Sequence, residues 1–233
     1  MEMIRKVIQK LSEKLMPAPL SLEAALKRCR QRIPNAGTLI DVGASNGSWS
    51  IRAHKHFPEV RCFMIEAQKE HEPALRKLMS GDSSYGYMIA AAGESDGFVH
   101  FQEGDLFGGV ATHDPAGAGF RKVPMIALDT AVKDRALVPP FILKLDTHGF
   151  EVPILEGAKE TLRMTQLLVV EVYNFQLTPQ SLRFHEIIAY LEERSFRCAD
   201  ICDPIFRKDG ILWQMDLLFI RSESAEFNSN SYK

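Results

Sequence analysis

Between residues 36 and 221 the apolar positions alternate between two rhythms, and the alternation itself predicts a fold. Short apolar runs of strand length fall at 38–42, 60–65, 85–91, 141–145 and 167–173. Stripes with helical spacing fall between them at 48–57, 70–79, 152–164 and 181–194, closed by Pro58 after the first and Gly81 after the second. Strands alternating with helices imply a mostly parallel sheet with helices on both faces. Segments 97–102 and 122–128 alternate apolar and polar residues and are expected to pair as a hairpin, and 196–201 with 212–221 as a closing antiparallel pair.

Two regions break the rhythm. Residues 1–30 read as one or two amphipathic helices interrupted at Met16-Pro17-Ala18-Pro19, so residues 1–35 are expected to form a helical cap on a main domain at 36–223. The segment GDLFGGVATHDPAGAGF, 104–120, is rich in Gly and Ala; a loop of that length inside a compact domain is usually either disordered or functional, often a lid. Residues 224–233 are polar and read as a flexible tail.

Composition narrows the class. A chain of 233 residues with 45% apolar and 25% charged residues suits one sizeable α/β domain. Lys plus Arg number 28 against 30 Asp plus Glu, a balance that argues against a surface built to neutralise nucleic-acid phosphates. No apolar run approaches the roughly 20 residues that span a bilayer. Cys29, Cys62, Cys198 and Cys202 include no C-x-x-C pair, and the N-terminal stretch lacks a signal-like core and cleavage site; a cytoplasmic location is the expectation.

The candidate chemistry gathers at strand ends. LIDVGASNG, 39–47, puts Asp41 at the end of the first strand and Gly43 and Gly47 in the turn behind it. In an open α/β sheet ligands bind beyond the carboxyl ends of the strands, where glycines let the backbone approach closely. Any strand-to-helix turn also favours Gly, and Asn46 or Ser48 can simply cap the helix. The nicotinamide fingerprint G-x-G-x-x-G is absent, because Ser45 and Ser48 stand where its second and third glycines belong, and no Gly-Lys-Ser/Thr of a P-loop follows. Glu66, about 20 residues on in FMIEAQ, ends the second strand, where a carboxylate accepts the hydroxyls of an adenosine ribose.

DVGASNGSWS, FMIEAQ and LKLDTHGFEVPILEGA together resemble the FkbM family of S-adenosylmethionine-dependent methyltransferases, over roughly residues 38–221. The resemblance implies a class I methyltransferase fold: a Rossmann-like three-layer sandwich on a seven-stranded, mostly parallel sheet whose last strand is reversed. It implies methyl transfer to a hydroxyl of a sugar, polyketide or similar small metabolite. Carried over by position, Asp41, Gly43, Ser45, Asn46 and Gly47 would line the methionine side of S-adenosylmethionine, Glu66 would hold the ribose, and Ala91 would flank the adenine. His148 stands where the family commonly has Glu or Gln, which leaves the acceptor class open.

Lys144 and Asp146 share one face of FILKLD, and a lysine inside a central parallel strand needs a counter-charge. Glu171 on the next strand is the expected partner, whether structural or catalytic. Asp146, His148 and Glu171 are the candidates around the acceptor, able to position it and take its proton; His113 in the Gly-rich segment is a weaker one. A divalent ion at Asp146, Glu171 and Asp216 is conceivable on ligand type, but spacing does not establish it, and no metal is expected. The rival readings are a nucleotide-dependent oxidoreductase, disfavoured by the missing glycines, and a silent S-adenosylmethionine-binding module.

Overall fold

The computed structural model describes residues 18–102, 106–115 and 118–231. The expected helices before residue 18 lie outside the described residues. The first described helix, α1 (Leu22–Arg32), starts at Ser21, whose hydroxyl accepts the amide of Ala24. It turns Leu22, Ala25, Leu26 and Cys29 into the core and is tied to the far edge of the sheet by Arg28 and Asp200, 2.6 Å apart. This part of the expected cap is therefore packed as an integral layer.

Beyond it come β1 (Thr38–Val42), α2 (Ser48–His54), β2 (Arg61–Glu66), α3 (Glu72–Gly81) and β3 (Tyr85–Ile89). An insertion follows: β4 (Ala91–Gly93), β5 (Gly97–Gln102), β6 (Ala111–Thr112) and β7 (Phe120–Ala127). The chain resumes with α4 (Leu128–Asp134), β8 (Phe141–Leu145), α5 (Glu151–Glu156), α6 (Lys159–Arg163), β9 (Thr165–Tyr173), α7 (Phe184–Glu192), β10 (Phe196–Phe206) and β11 (Leu212–Arg221).

The main sheet has seven strands in the order β10-β11-β9-β8-β1-β2-β3. Only β11 runs against its neighbours, pairing antiparallel with both β9 and β10. The expected reversed last strand is thus present. Alternation sorts the side chains: Leu39, Met64, Ile142 and Val169 face the α1–α3 layer, while Ile40, Ile65, Leu143 and Val170 face the α4–α7 layer. The order reverses between β1 and β8, the place where open α/β sheets bind ligands.

The expected hairpin forms, β5 with β7, but it belongs to a second sheet, β4-β7-β5-β6. The Gly-rich segment is therefore not one structureless loop, since β6 within it pairs with β5. The strand expected over 85–91 divides at Ala90, whose amide turns to the Glu66 carbonyl, and Ala91 opens β4 in the second sheet. The helix expected over 152–164 is two helices. At Gly157, between them, an added Cβ would sit 2.0 Å from the Gly93 carbonyl oxygen, so β4 packs directly on the break between the two helices. In the tail, Ala225–Phe227 forms a 3-10 turn with Arg197 stacked over the Phe227 ring.

Candidate active site

A cavity opens at the switch point, over the carboxyl ends of β1, β2 and β8. Its empty volume, open mouth included, is about 690 Å³. Gly43, Ser45, Glu66 and Ala91 lie on its wall, as do Asp146 and His148. Six of the ten residues expected from the sequence therefore meet at one cavity.

Gly43 is there for a geometric reason. Its φ is +76°, and a Cβ would fall 1.9 Å from the carbonyl oxygen of Asp146, so the β1 and β8 turns touch only because no side chain intervenes. Glu66 is 5% exposed, and its two carboxylate oxygens accept the amides of Ser45 and Gln68, each at 2.7 Å. It thereby clamps the glycine turn to the β2 turn. Burial raises its pKa above the usual carboxylate value, and the two amides oppose that rise.

Four expected residues lie off the wall. Asp41 is fully buried beneath the cavity and does not line it: its Oδ2 accepts from the Ser50 hydroxyl at 2.7 Å, and its Oδ1 faces Lys144 Nζ at 3.7 Å. Alternation gives the reason: Asp41 points with Leu39 into the α1–α3 layer, while Gly43 beyond it reaches the cavity wall. Asn46 Oδ1 accepts the Ser48 amide at 3.1 Å, and Gly47 between them opens α2 without a side-chain cap. Gly47 packs against Leu78 and Met64, and Glu171 sits behind His148.

Lys144 is 2% exposed, and its counter-charges are not Glu171. Its Nζ bonds Asp146 Oδ2 at 2.7 Å and faces Asp41, with the Trp49 ring 5.5 Å away. Burial alone would lower the Lys144 pKa, but Asp146 and Asp41 raise it above its usual value. Burial alone would likewise raise Asp146; Lys144 and then His148 outweigh it and hold the carboxyl below its usual range.

Asp146 Oδ1 lies 4.0 Å from His148 Nε2, and His148 Nδ1 lies 2.7 Å from Tyr173 Oη and 3.4 Å from Glu171 Oε2. Tyr173 and Gln214 both donate to Glu171. Burial first, then the carboxylates of Asp146 and Asp216, hold the Glu171 pKa well above the usual range. His148 has a left-handed φ of +52°, which turns its ring back over β9. Donor atoms of Asp146, His148 and Glu171 lie within 4.8 Å of one another. One oxygen of Asp146 is already neutralised by Lys144, so the set reads first as a proton-handling group.

Several participants escaped the sequence reading. Glu151, within the LKLDTHGFE motif, is buried and accepts the Gly149 amide at 3.0 Å and the Thr147 hydroxyl at 3.1 Å, locking the turn that carries His148. His71 Nε2 lies 2.8 Å from the Leu106 carbonyl and 3.4 Å from the Ser45 hydroxyl, which pins the Gly-rich segment over the cavity. His113 pairs with Glu94 at 2.9 Å instead of entering the acid cluster. Tyr173 was only the end of an apolar run, and no local signal distinguished its hydroxyl.

Asp216, in register with Glu171 across β9 and β11, supplies a pH test. Burial raises its pKa to about 7, with Lys144 holding it lower than burial alone would. An acid raised in the folded state binds its proton more tightly folded than unfolded. Its contribution is full below about pH 4 and is lost as pH rises to about 7. Asp216→Asn is therefore expected to raise the melting temperature relative to the parent at pH 8 and to leave it nearly unchanged at pH 4. Equal differences at the two pH values would contradict this assignment.

The sequence profile described as the methyltransferase FkbM domain matches residues 41–198, which includes the glycine turn, Glu66 and the Asp146–Gly157 motif. The chain belongs to the FkbM methyltransferase family. Among solved structures it is similar to the methyltransferase FkbM from Methylobacillus flagellatus KT, at 17% identity and a TM-score of 0.53 over 79% of this chain and 43% of that one. This FkbM chain thus spans under half the length of that relative. It is also similar to TrmK of M. capricolum, solved with S-adenosyl-homocysteine, described there as the natural cofactor product, at 9% identity and a TM-score of 0.50 over 86% and 68% of the two chains. These likenesses establish the class I methyltransferase fold. No curated protein matches the sequence significantly. Among the described residues no helix is long and apolar enough to cross a membrane.

Proposed function

We propose that this FkbM protein is an S-adenosylmethionine-dependent O-methyltransferase acting on a hydroxyl of a small metabolite such as a sugar or polyketide. The observation that carries the reading is the meeting of Gly43, Glu66, Asp146 and His148 on one cavity at the sheet's switch point. The residues fit the donor: a side-chain-free backbone approach at Gly43, a buried carboxylate at Glu66 in position for ribose hydroxyls, and the small residue Ala91 against an adenine.

S-adenosylmethionine supplies a methyl group already activated on a sulfonium, so the protein's own tasks are alignment and proton removal. Gly43 and Ser45 would flank the methionine portion, and Glu66 the ribose. Asp41 acts at one remove, by neutralising Lys144, which in turn fixes the Asp146 carboxylate at the cavity wall. Asp146 would accept a hydrogen bond from the acceptor hydroxyl and orient it, with His148 beside it to take the proton. A neutral hydroxylated acceptor suits a cluster whose one lysine is already paired.

Titration calorimetry with S-adenosylmethionine and S-adenosyl-homocysteine tests the first half, and micromolar binding of both is the expected result. The second half is tested by transfer of isotopically labelled methyl to a panel of glycosides and polyketide alcohols, with the product's methyl identified by NMR as O-linked. No heat at millimolar donor, or methyl found on nitrogen or carbon, would overturn the reading.

A further inference from the structure

We propose that Tyr173 is a positioning residue that fixes the tautomer of His148, holding the proton on Nδ1 and leaving Nε2 bare toward Asp146 and the acceptor. The inference rests on the methyl-transfer reading for its purpose but on hydrogen-bond accounting for its content. Tyr173 Oη has two neighbours, His148 Nδ1 at 2.7 Å and Glu171 Oε2. A phenol has one proton to give. Burial, and then Glu171, push the Tyr173 pKa far above its usual value, so that proton stays on the oxygen.

The direction of the chain is set by Glu171. Its two oxygens are met by the Tyr173 hydroxyl and by the Gln214 side-chain amide, and an amide N–H can only donate. Both Glu171 oxygens are then left to accept, Oε2 from Tyr173 and Oε1 from the Gln214 amide. With the phenol proton directed at Glu171, Tyr173 Oη can only accept from His148. The imidazole must therefore carry its proton on Nδ1. Nε2, 4.0 Å from Asp146 Oδ1, is the free lone pair. Gln214, Glu171 and Tyr173 form one line of orientation that ends in a base.

In the transfer step the acceptor oxygen's lone pair forms the new carbon–oxygen bond while the methyl–sulfur bond breaks and its electron pair stays on sulfur. The acceptor proton moves to His148 Nε2. The imidazolium so formed faces Asp146 on one side and Glu171 and Tyr173 on the other, with Glu151 behind the turn and Lys144 on the far side of Asp146. Asp146, whose carboxyl is held below its usual range, stabilises that cation.

The experiment needs no acceptor. Full-length protein labelled with 15N-histidine is recorded in alkaline buffer, His148 is assigned by its disappearance in His148→Gln, and the two ring nitrogens are read for protonation. A protonated Nδ1 and a bare Nε2 are expected, with Tyr173→Phe releasing the bias so that Nε2–H becomes populated. Tyr173→Phe is checked by calorimetry with S-adenosylmethionine, which it should bind as the parent does; if this variant does not fold, the parent's tautomer alone decides. Nε2–H in the parent would overturn the proposal. So would paramagnetic broadening of His148 by stoichiometric Mn²⁺, which would make Asp146, His148 and Glu171 a cation site. Failure to bind the donor would sink the methyl-transfer reading and leave the tautomer result standing, so the two failures are distinguishable.

Discussion

Glu66→Ala is expected to weaken S-adenosylmethionine binding by two to three orders of magnitude in titration calorimetry. Hydrogen bonds to a charged group contribute about 1.5–3 kcal/mol each, and a buried carboxylate facing two ribose hydroxyls would make two of them. The same carboxylate holds the Ser45 and Gln68 amides, so its removal also loosens the two turns that shape the cavity. Leaving those amides unpaired costs about 1–3 kcal/mol of stability apiece if water does not reach them. Glu66→Gln separates the effects. It keeps the shape and one acceptor oxygen, so the variant should stay folded while its affinity still falls at least tenfold. A folded Glu66→Ala protein with the parent's dissociation constant would remove the ribose contact from this account.

Lys144→Met should be the most destabilising single substitution at the site, by about 3–5 kcal/mol in urea unfolding, because removing one partner of a buried ion pair strands the other. Asp41 is the stranded group: it is fully buried, and apart from Ser50 its counter-charge is Lys144. Asp146 is less exposed to this loss, since 31% of its side chain reaches the cavity and its water. The double variant Lys144→Met/Asp41→Asn is accordingly expected to recover a substantial part of the stability. A single variant within about 1 kcal/mol of the parent would mean that the three charges are not coupled as their distances indicate.

Much of the architecture was legible because it is written in local repeats. The runs at 38–42 and 141–145 are short and mostly apolar with one charge each, and both became strands with those bounds. The interruptions that the sequence concealed are all long-range. Nothing near Gly157 announces that β4, more than 60 residues earlier, will pack against the break between α5 and α6. Nothing within 104–120 announces that residues 111–112 will pair with β5, because Gly and Ala carry almost no periodic signal.

At the site the division is similar. The residue types and their order along the chain were enough to pick out Gly43, Ser45, Glu66, Ala91, Asp146 and His148, since strand ends in a parallel sheet must converge on one edge. The partnerships were not. Lys144 looked toward Glu171 when neighbouring strands were counted in sequence, but β1, not β9, carries its fully buried partner, because the strand order reverses beside β8.

By itself, then, the sequence determined the class of fold, the family and the edge of the sheet where chemistry gathers. Periodicity and turn residues act over a few positions and are visible in any short window. Only the tertiary structure decided which charge neutralises which, that Asp41 lies under the cavity instead of in it, and that Tyr173 stands between His148 and Glu171. Those outcomes depend on register and on which face of a strand is turned outward, quantities set by strands far apart in the chain.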